Sequence, residues 1–118
     1  MKSENKILDM SFNFALQIAD LYRFSIEKKE FIISKQLLRS GTSIGANVEE
    51  AIAAQSRKDF ISKMSIASKE ARETRYWLKL LNQSRLVTLD YAPYLTSAEH
   101  IINILTKIVK TTRETSPE

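Results

Sequence analysis

The strongest constraint on the fold is a regular spacing of apolar and small side chains in the second half of the chain. Alternating steps of four and three residues connect Phe60, Met64, Ala67, Ala71, Thr74, Leu78 and Leu81. This heptad seam predicts a long helix whose axis lies nearly parallel to those of its neighbours. The segment Ser56-Arg57-Lys58-Asp59 has the form of a capping box, with Asp in place of Glu or Gln, so we expect the helix to begin there.

Three further segments repeat apolar residues at helical spacing. The chain has only two Gly and two Pro among 118 residues, which leaves few turns for a β-structure. Ser34 and Asp90 are candidate N-caps, and Pro93 fits a first helical turn. The predicted helices cover about residues 7–26, 34–55, 57–83 and 91–111. Because short connections make consecutive helices antiparallel, the sequence predicts one all-α domain over residues 1–118, an antiparallel up-down-up-down four-helix bundle.

The second predicted helix has very small side chains in its middle. Gly41 and Gly45 lie among Ser40, Ser43 and Ala46. Since Gly weakens a helix, two Gly in one helix indicate that the backbone of a neighbour comes close. The alternative is a loop near Gly41 that splits the segment in two.

Composition and charge limit which functions are possible. The chain has no Cys, which excludes disulfides and thiolate chemistry. No apolar run approaches the roughly 20 residues that cross a bilayer, and the polar N-terminus resembles no signal peptide, so we expect a cytoplasmic protein without a membrane role. The net charge is +4. Residues 57–85 hold eight Lys or Arg against three Asp or Glu, so the third helix supplies all of the excess positive charge.

Two sequence blocks resemble a known family. Residues 36–51 read QLLRSGTSIGANVEEA, and the second block runs from KDFISKM at residues 58–64 through KEARET at 69–74 to YWL at 76–78. Both are similar to the bacterial four-helix-bundle proteins encoded within intervening sequences of large-subunit ribosomal RNA genes. The accessory variability proteins of diversity-generating retroelements are relatives. The resemblance implies a ring-like homo-oligomer, typically a pentamer. For the retroelement relatives it also implies binding of nucleic acid and of a reverse transcriptase.

Basic side chains gather on one face of the third helix when residues are placed at 100° intervals. They are Lys58, Lys69, Arg72, Arg75 and Lys79. We interpret this face as a surface for phosphate contacts, repeated in every subunit of an oligomer. No aromatic residue is placed among the basic ones, so base stacking is not expected. The alternative is a solvated face with pairs such as Lys69 and Glu73.

A second group of apolar side chains lies outside the seams. Its members are Phe12 and Leu16 on the first helix and Ile66, Tyr76, Trp77 and Leu80 on the third. A bundle needs only one apolar stripe per helix, and Trp and Tyr are enriched in interface cores. We therefore expect a subunit interface. The alternative is that these residues lie under a loop or widen the core of the monomer.

Polar residues of the second and third helices are candidates for a buried ion-pair network. They are Arg39, Asn47, Glu49, Glu50, Glu70 and Glu73. Buried charges must be paired and hydrogen-bonded, which favours a structural or interface role. The alternative is a ligand or metal site, but carboxylates without a usable His are a weak metal signal.

No pattern typical of catalysis is found. The only His, His100, follows Glu99 and lacks the Glu-x-x-His spacing of di-iron bundles. No Arg stands shortly before His100, which argues against helical RNases of the bundle type, and two isolated Gly form no phosphate loop. The sequence predicts a non-enzymatic protein without metal or cofactor. Its predicted partners are its own copies and RNA, DNA or a reverse transcriptase. The alternative is a protein–protein scaffold with no nucleic-acid role.

Overall fold

The computed structural model describes residues 2–115, with side chains from residue 4 onward, and they form four helices. The helices are α1 (Lys2–Glu27), α2 (Ile33–Ile52), α3 (Arg57–Ser84) and α4 (Ala92–Glu114). Each helix packs against the next and α4 closes against α1, while no backbone contact joins the diagonal pairs within the described chain. The predicted all-α, up-down-up-down bundle is confirmed.

The core is built from one stripe of each helix, and the heptad seam of α3 is its centre. From Met64 to Leu81 every seam residue is buried, and Phe60 at the start is partly buried. Facing side chains include Ile18 on α1, Ile44 on α2 and Leu105 on α4, all fully buried. Burying a side chain of this size stabilises the fold by about 1.5–3 kcal/mol, so the seam fixes which side of α3 faces inward.

Helix α2 is continuous through its two glycines, which excludes a loop near Gly41. A Cβ on Gly41 would lie 2.9 Å from Cγ2 of Ile18 on α1. At Gly45 the nearest atoms belong to Ser11 and would lie 3.4 Å away, an ordinary contact. The predicted close approach is therefore to α1, and only Gly41 strictly requires it.

The start of α2 corrects a prediction. Ser34 is not the N-cap, because Ile32 stands there and contributes no side-chain bond. Instead the Glu30 carboxylate accepts from the backbone N–H groups of Ile32, Ile33 and Ser34 at 3.1, 3.0 and 2.7 Å. Burial alone would raise the pKa of Glu30, but these N–H donors together outweigh it and lower the pKa below its usual value. A carboxylate one turn upstream thus satisfies the orphan donors of the first turn.

The starts of α3 and α4 follow their sequence signals to different degrees. Ser56 is the N-cap of α3, as predicted, and its hydroxyl accepts from the Asp59 backbone N–H at 3.0 Å. At α4 the N-cap position is Tyr91, so the prediction of Asp90 is wrong by one residue. The Asp90 carboxylate still accepts from the Ala92 backbone N–H at 3.0 Å. Pro93 lies in the first turn, as predicted.

Helix ends differ from the predicted bounds by up to five residues. Helix α1 begins at Lys2 rather than near residue 7, and α4 ends at Glu114 rather than near residue 111. Helix α2 ends at Ile52, before residue 55. Apolar periodicity marks only the turns that face the core, so it gives no signal for polar turns beyond it.

The two glycines of α2 give a matched stability test. We expect Gly41→Ala to lower the free energy of unfolding by about 1–3 kcal/mol, because its methyl group meets a branched side chain that has no room to move. Gly45→Ala should be neutral or stabilising by up to about 1 kcal/mol, because Ala is the better helix former and the added Cβ meets only ordinary contacts with Ser11. Urea unfolding at one protein concentration measures both, and equal effects would contradict the close contact at Gly41.

Candidate functional site

The basic residues of α3 differ in what they contact. Arg75 forms an ion pair with Glu99 of α4, and its Nη1 lies 2.7 Å from Oε1 of Glu99. Arg72 is exposed and donates from Nη2 to the Thr106 hydroxyl at 3.2 Å. Lys58, Lys69 and Lys79 are exposed and form no ion pair or hydrogen bond with the described part of the chain. These three ammonium groups are available to an external anion.

The pair between Lys69 and Glu73, expected for a purely solvated face, does not form. Glu73 is bound to Arg39 of α2 instead, and its Oε2 also accepts from the indole N–H of Trp77 at 2.9 Å. The spacing of residues along α3 did not predict the pair between Glu73 and Arg39, because Arg39 lies on another helix.

A surface groove along α3 collects most of these cations, and we call it the α3–α4 groove. It consists of two adjoining depressions that share Arg72: one is lined by α3 alone, and the other lies between α3 and α4. Its lining residues are Ser65, Ser68, Arg72, Arg75, Tyr76, Lys79, Leu80 and Gln83 from α3 and Thr106, Val109, Lys110, Arg113 and Glu114 from α4. Sequence analysis missed Lys110 and Arg113, because they lie on a different helix from the basic residues of α3.

Tyr76 also lines this groove, which corrects the expectation that no aromatic residue lies among the basic ones. Tyr76 follows Arg72 by four residues and precedes Lys79 by three, so all three share one side of the helix. The assignment of Tyr76 to a separate apolar face was wrong. Its side chain is 58% exposed, and its ring packs edge-on against Trp77 with centroids 5.0 Å apart.

The predicted subunit-interface residues divide between two sides of the bundle. Phe12 and Leu16 on α1 are 64% and 53% exposed, and Ile66 on α3 is 37% exposed. Because α1 and α3 are diagonal helices, these residues do not form one patch. Trp77 is partly buried against the core, so it widens the monomer core as the alternative expected. Leu80 is partly buried and lines the α3–α4 groove.

The α1 side carries acidic groups beside its apolar ones. A groove between α1 and α2, which we call the α1–α2 groove, is lined by Leu8, Asp9, Phe12, Asn13, Ala15, Thr42, Gly45, Ala46 and Glu49. Sequence analysis had placed Glu49 with the polar network and did not consider Asp9. This side is therefore apolar and negative, whereas the outward side of α3 is apolar and positive.

Of the predicted polar network, the structure brings together Arg39, Glu70 and Glu73. The Arg39 guanidinium bridges both carboxylates, with Nη1 3.3 Å from Oε1 of Glu70. Hydrogen bonds from Arg39 and then from Trp77 lower the pKa of Glu73, and the Glu73 bond raises the pKa of Arg39. The cluster lies at the surface rather than buried, since the Arg39 side chain is 47% exposed.

The other members of that network lie elsewhere. Glu50 pairs with Lys63 of α3, with 3.1 Å between Oε1 and Nζ. The Asn47 side-chain amide donates to the Ser43 carbonyl on its own helix at 2.9 Å. Glu49 is exposed in the α1–α2 groove. Of these three residues, only Glu50 contacts α3, so the predicted network is not continuous.

Four exposed apolar residues were not singled out from the sequence. Phe31 and Ile32 lie in the α1–α2 connection and Leu86 lies in the α3–α4 connection, at the same end of the bundle. Ile52 is the last residue of α2, at the opposite end. Since these residues belong to no periodic stripe, the helical pattern gave no reason to single them out.

Acidic and His side chains of the described residues are scattered over the surface rather than clustered. Within positions 4–115 no group of three or more His, Cys, Asp or Glu side chains is arranged to hold a metal ion. His100 is exposed on α4, in a shallow depression with Glu99 and Asn103. None of the described helices is long and apolar enough to span a membrane.

The fold and these surfaces define a small up-down-up-down bundle with a basic groove on one side and an acidic, apolar groove on another. The model of the 23S rRNA-intervening sequence protein family matches residues 3–107, and the chain belongs to that family. It is 49% identical to a protein of unknown function from the S23 ribosomal protein family of Bacteroides thetaiotaomicron. That crystal structure superposes with a TM-score of 0.88, covering 92% of this chain and 98% of the other. Among curated proteins, none matches.

The family assignment made from the two sequence blocks is confirmed. The relationship to accessory variability proteins of retroelements stays a prediction.

The contact between Glu73 and Trp77 gives a pH-dependent signal, since Trp77 is the only Trp in the chain. The pKa of Glu73 is lowered, so its contribution to stability is present above the ordinary Glu value of about 4.3 and is lost as the pH falls through the lower, folded value. We expect Trp emission to stay constant from pH 7 to about 4.3 and to change below it. Glu73→Gln should remove this transition and Glu70→Gln should retain it, with circular dichroism showing that the helices persist.

Proposed function

We propose that this protein is a non-enzymatic homo-oligomer that binds nucleic acid through the basic side of α3. The main support for the proposal is that four cations of the predicted basic face of α3 are exposed and have no acidic partner in the described chain: Lys58, Lys69, Arg72 and Lys79. Four of the nearby acids pair with other cations: Glu50 with Lys63, Glu99 with Arg75, and Glu70 and Glu73 with Arg39.

Unpaired cations on a rigid helix suit a phosphate backbone. Each Lys or Arg that neutralises a phosphate releases a condensed counterion, so binding weakens steeply as salt rises. The charges stand on one helix at fixed spacing, and Lys110 and Arg113 of α4 extend the positive surface. In an oligomer this surface would be repeated in every subunit, and the repeats would multiply a weak contact into a strong one.

The homo-oligomer is supported by two dissimilar outward sides of the same chain. One carries Phe12 and Leu16 beside Asp9 and Glu49, and the other carries Ile66 on the positive helix α3. A contact between two different sides of identical subunits is heterologous, and it forms a ring when the rotation closes. Opposite charges at the two sides favour this pairing over either side with itself. The number of subunits, five, comes from the family resemblance.

A second candidate is a scaffold that binds a protein through its apolar surfaces and no nucleic acid. Large exposed side chains such as Phe12 and Leu16 favour it, because apolar patches mark interaction sites. A reverse transcriptase is the partner that the retroelement relatives suggest. A pull-down that survives nuclease treatment, together with an absence of nucleic-acid binding at low salt, would favour the scaffold. In either case we place the protein in the cytoplasm.

Charge reversal tests nucleic-acid binding. We expect the triple variant Lys69→Glu, Arg72→Glu and Lys79→Glu to bind labelled RNA or DNA at least about 10-fold more weakly in low salt. The slope of log K against log salt should fall by about three, since each phosphate contact contributes close to one. Fluorescence anisotropy across a salt series measures both quantities.

The matched control reverses three exposed lysines away from the basic side of α3: Lys6, Lys35 and Lys107. It changes the net charge equally, so it should reduce binding only slightly and leave the salt slope near the wild-type value. Equal losses in the two triple variants, or no binding by the wild type at low salt, would contradict the proposal.

Light scattering tests the oligomer. We expect the wild type to be larger than the 13.5 kDa monomer at micromolar concentration. Phe12→Glu should shift it toward the monomer, because a buried, unpaired charge opposes association. Ile32→Glu, at the end of the bundle and outside both sides, should leave the assembly intact. A monomeric wild type would show the subunit interface to be absent.

A further inference from the structure

We propose that the α3–α4 groove binds single-stranded nucleic acid in an extended form, with phosphates on its cations and a base stacked on Tyr76. This inference rests on the proposed function, and it specifies which form of nucleic acid is bound and where. It depends on three features of the groove: the exposed setting of Tyr76, the order of the cations and the free hydroxyl groups.

The exposed ring of Tyr76 favours a single strand. Its side chain is 58% exposed and lies among cations on the outward face of α3, where an unpaired base can reach it. A duplex keeps its base faces stacked inside the helix, out of reach of a side chain on the protein surface.

The cations follow one another along the groove. Because α3 and α4 are antiparallel and Arg72 bonds to Thr106, Lys110 and Arg113 lie on the N-terminal side of Arg72 along α3. Lys79 lies two turns to the other side. At 1.5 Å per residue, the distance from the level of Ser65 to Lys79 is about 21 Å, long enough for a short run of nucleotides. The positive charges are therefore spaced to contact successive phosphates of one nucleic-acid strand rather than a single phosphate.

The net charge of the groove is positive even when its acidic residues are included. Two carboxylates, Glu99 and Glu114, adjoin five cations. Glu99 is already bonded to Arg75. Arg72, Lys79 and Lys110 have no acidic partner in the described chain.

Hydroxyl groups between the cations are free to donate. Within helices Ser and Thr commonly bond back to a carbonyl of the preceding turn, as Thr42 and Thr112 do here. Ser65 and Ser68 line the groove and make no hydrogen bond with the described chain. Their hydroxyls are therefore available to phosphate oxygens or to a ribose 2′-hydroxyl.

Tyr76 is held in place with one side open. Its ring meets Trp77 at an angle of 73°, and Trp77 is fixed by Glu73, which is fixed by Arg39. An oriented aromatic ring beside cations is the arrangement on which proteins stack successive bases of a single strand. Base stacking of this kind tolerates any sequence, because every base has a π-face.

The test compares a labelled 12-nucleotide single strand of mixed sequence with its duplex, using fluorescence anisotropy of the full chain. We expect the wild type to bind the single strand more tightly than the duplex. Tyr76→Ala should weaken single-strand binding about 5- to 100-fold, the range for loss of one stacked base, while leaving duplex binding nearly unchanged. Tyr76→Phe should keep the affinity, because it retains the ring. Phe31→Ala, an exposed aromatic at the end of the bundle, is the matched control and should have no effect.

The outcomes separate the two proposals. If the wild type binds neither form at low salt, both the proposed function and this inference are overturned. If it binds nucleic acid but prefers the duplex, or if Tyr76→Ala has no effect, only the single-strand groove is overturned. Light scattering of Tyr76→Ala completes the test: an unchanged assembly supports a ligand role, and dissociation into monomers would show that Tyr76 is a subunit contact instead.

Discussion

The rest of the structure depends on how closely α2 packs between α1 and α3. Toward α1, Gly41 leaves the space that Ile18 occupies. Toward α3, the Ser40 and Thr74 hydroxyls lie 2.9 Å apart and hydrogen-bond in a buried position. Small and hydrogen-bonded side chains let the backbones come close without leaving polar groups unsatisfied. This packing fixes the rotation of α3, and the rotation decides which of its side chains face the core and which face outward.

The function proposed for the protein follows from that rotation. With the heptad seam turned inward, the α2 side of α3 holds the Arg39, Glu70 and Glu73 cluster, and the α4 side opens into the α3–α4 groove. Glu70 and Glu73 pair with Arg39 on the α2 side and Glu99 pairs with Arg75, so these acids leave Lys69, Arg72 and Lys79 without an ion pair in the described chain. A helix that contributes to the core on one side, and presents fixed charge and an aromatic ring on another, provides a preorganised surface for an anionic polymer.

Much of the fold could be predicted from sequence because it follows from patterns within one helix. The heptad seam and the Ser56 cap are such patterns, and both were confirmed. The errors came from interactions between segments. The first turn of α2 is capped by Glu30, which lies outside the helix, and not by Ser34. Lys110 joined the basic residues from a helix that sequence analysis had treated separately. The division of the apolar residues between two diagonal helices likewise needed the tertiary arrangement.

Different outward positions of α3 are expected to meet different partners, and site-specific photocrosslinking can distinguish those partners. A photoreactive residue placed in turn at Ile66, Lys79 and Arg85 would be irradiated in the presence of a single-stranded oligonucleotide. We expect crosslinks from position 66 to a second copy of the chain and from position 79 to the oligonucleotide. Arg85, exposed beyond the end of α3, should give neither. The same crosslinking pattern at positions 66 and 79, or none at either, would contradict this expectation.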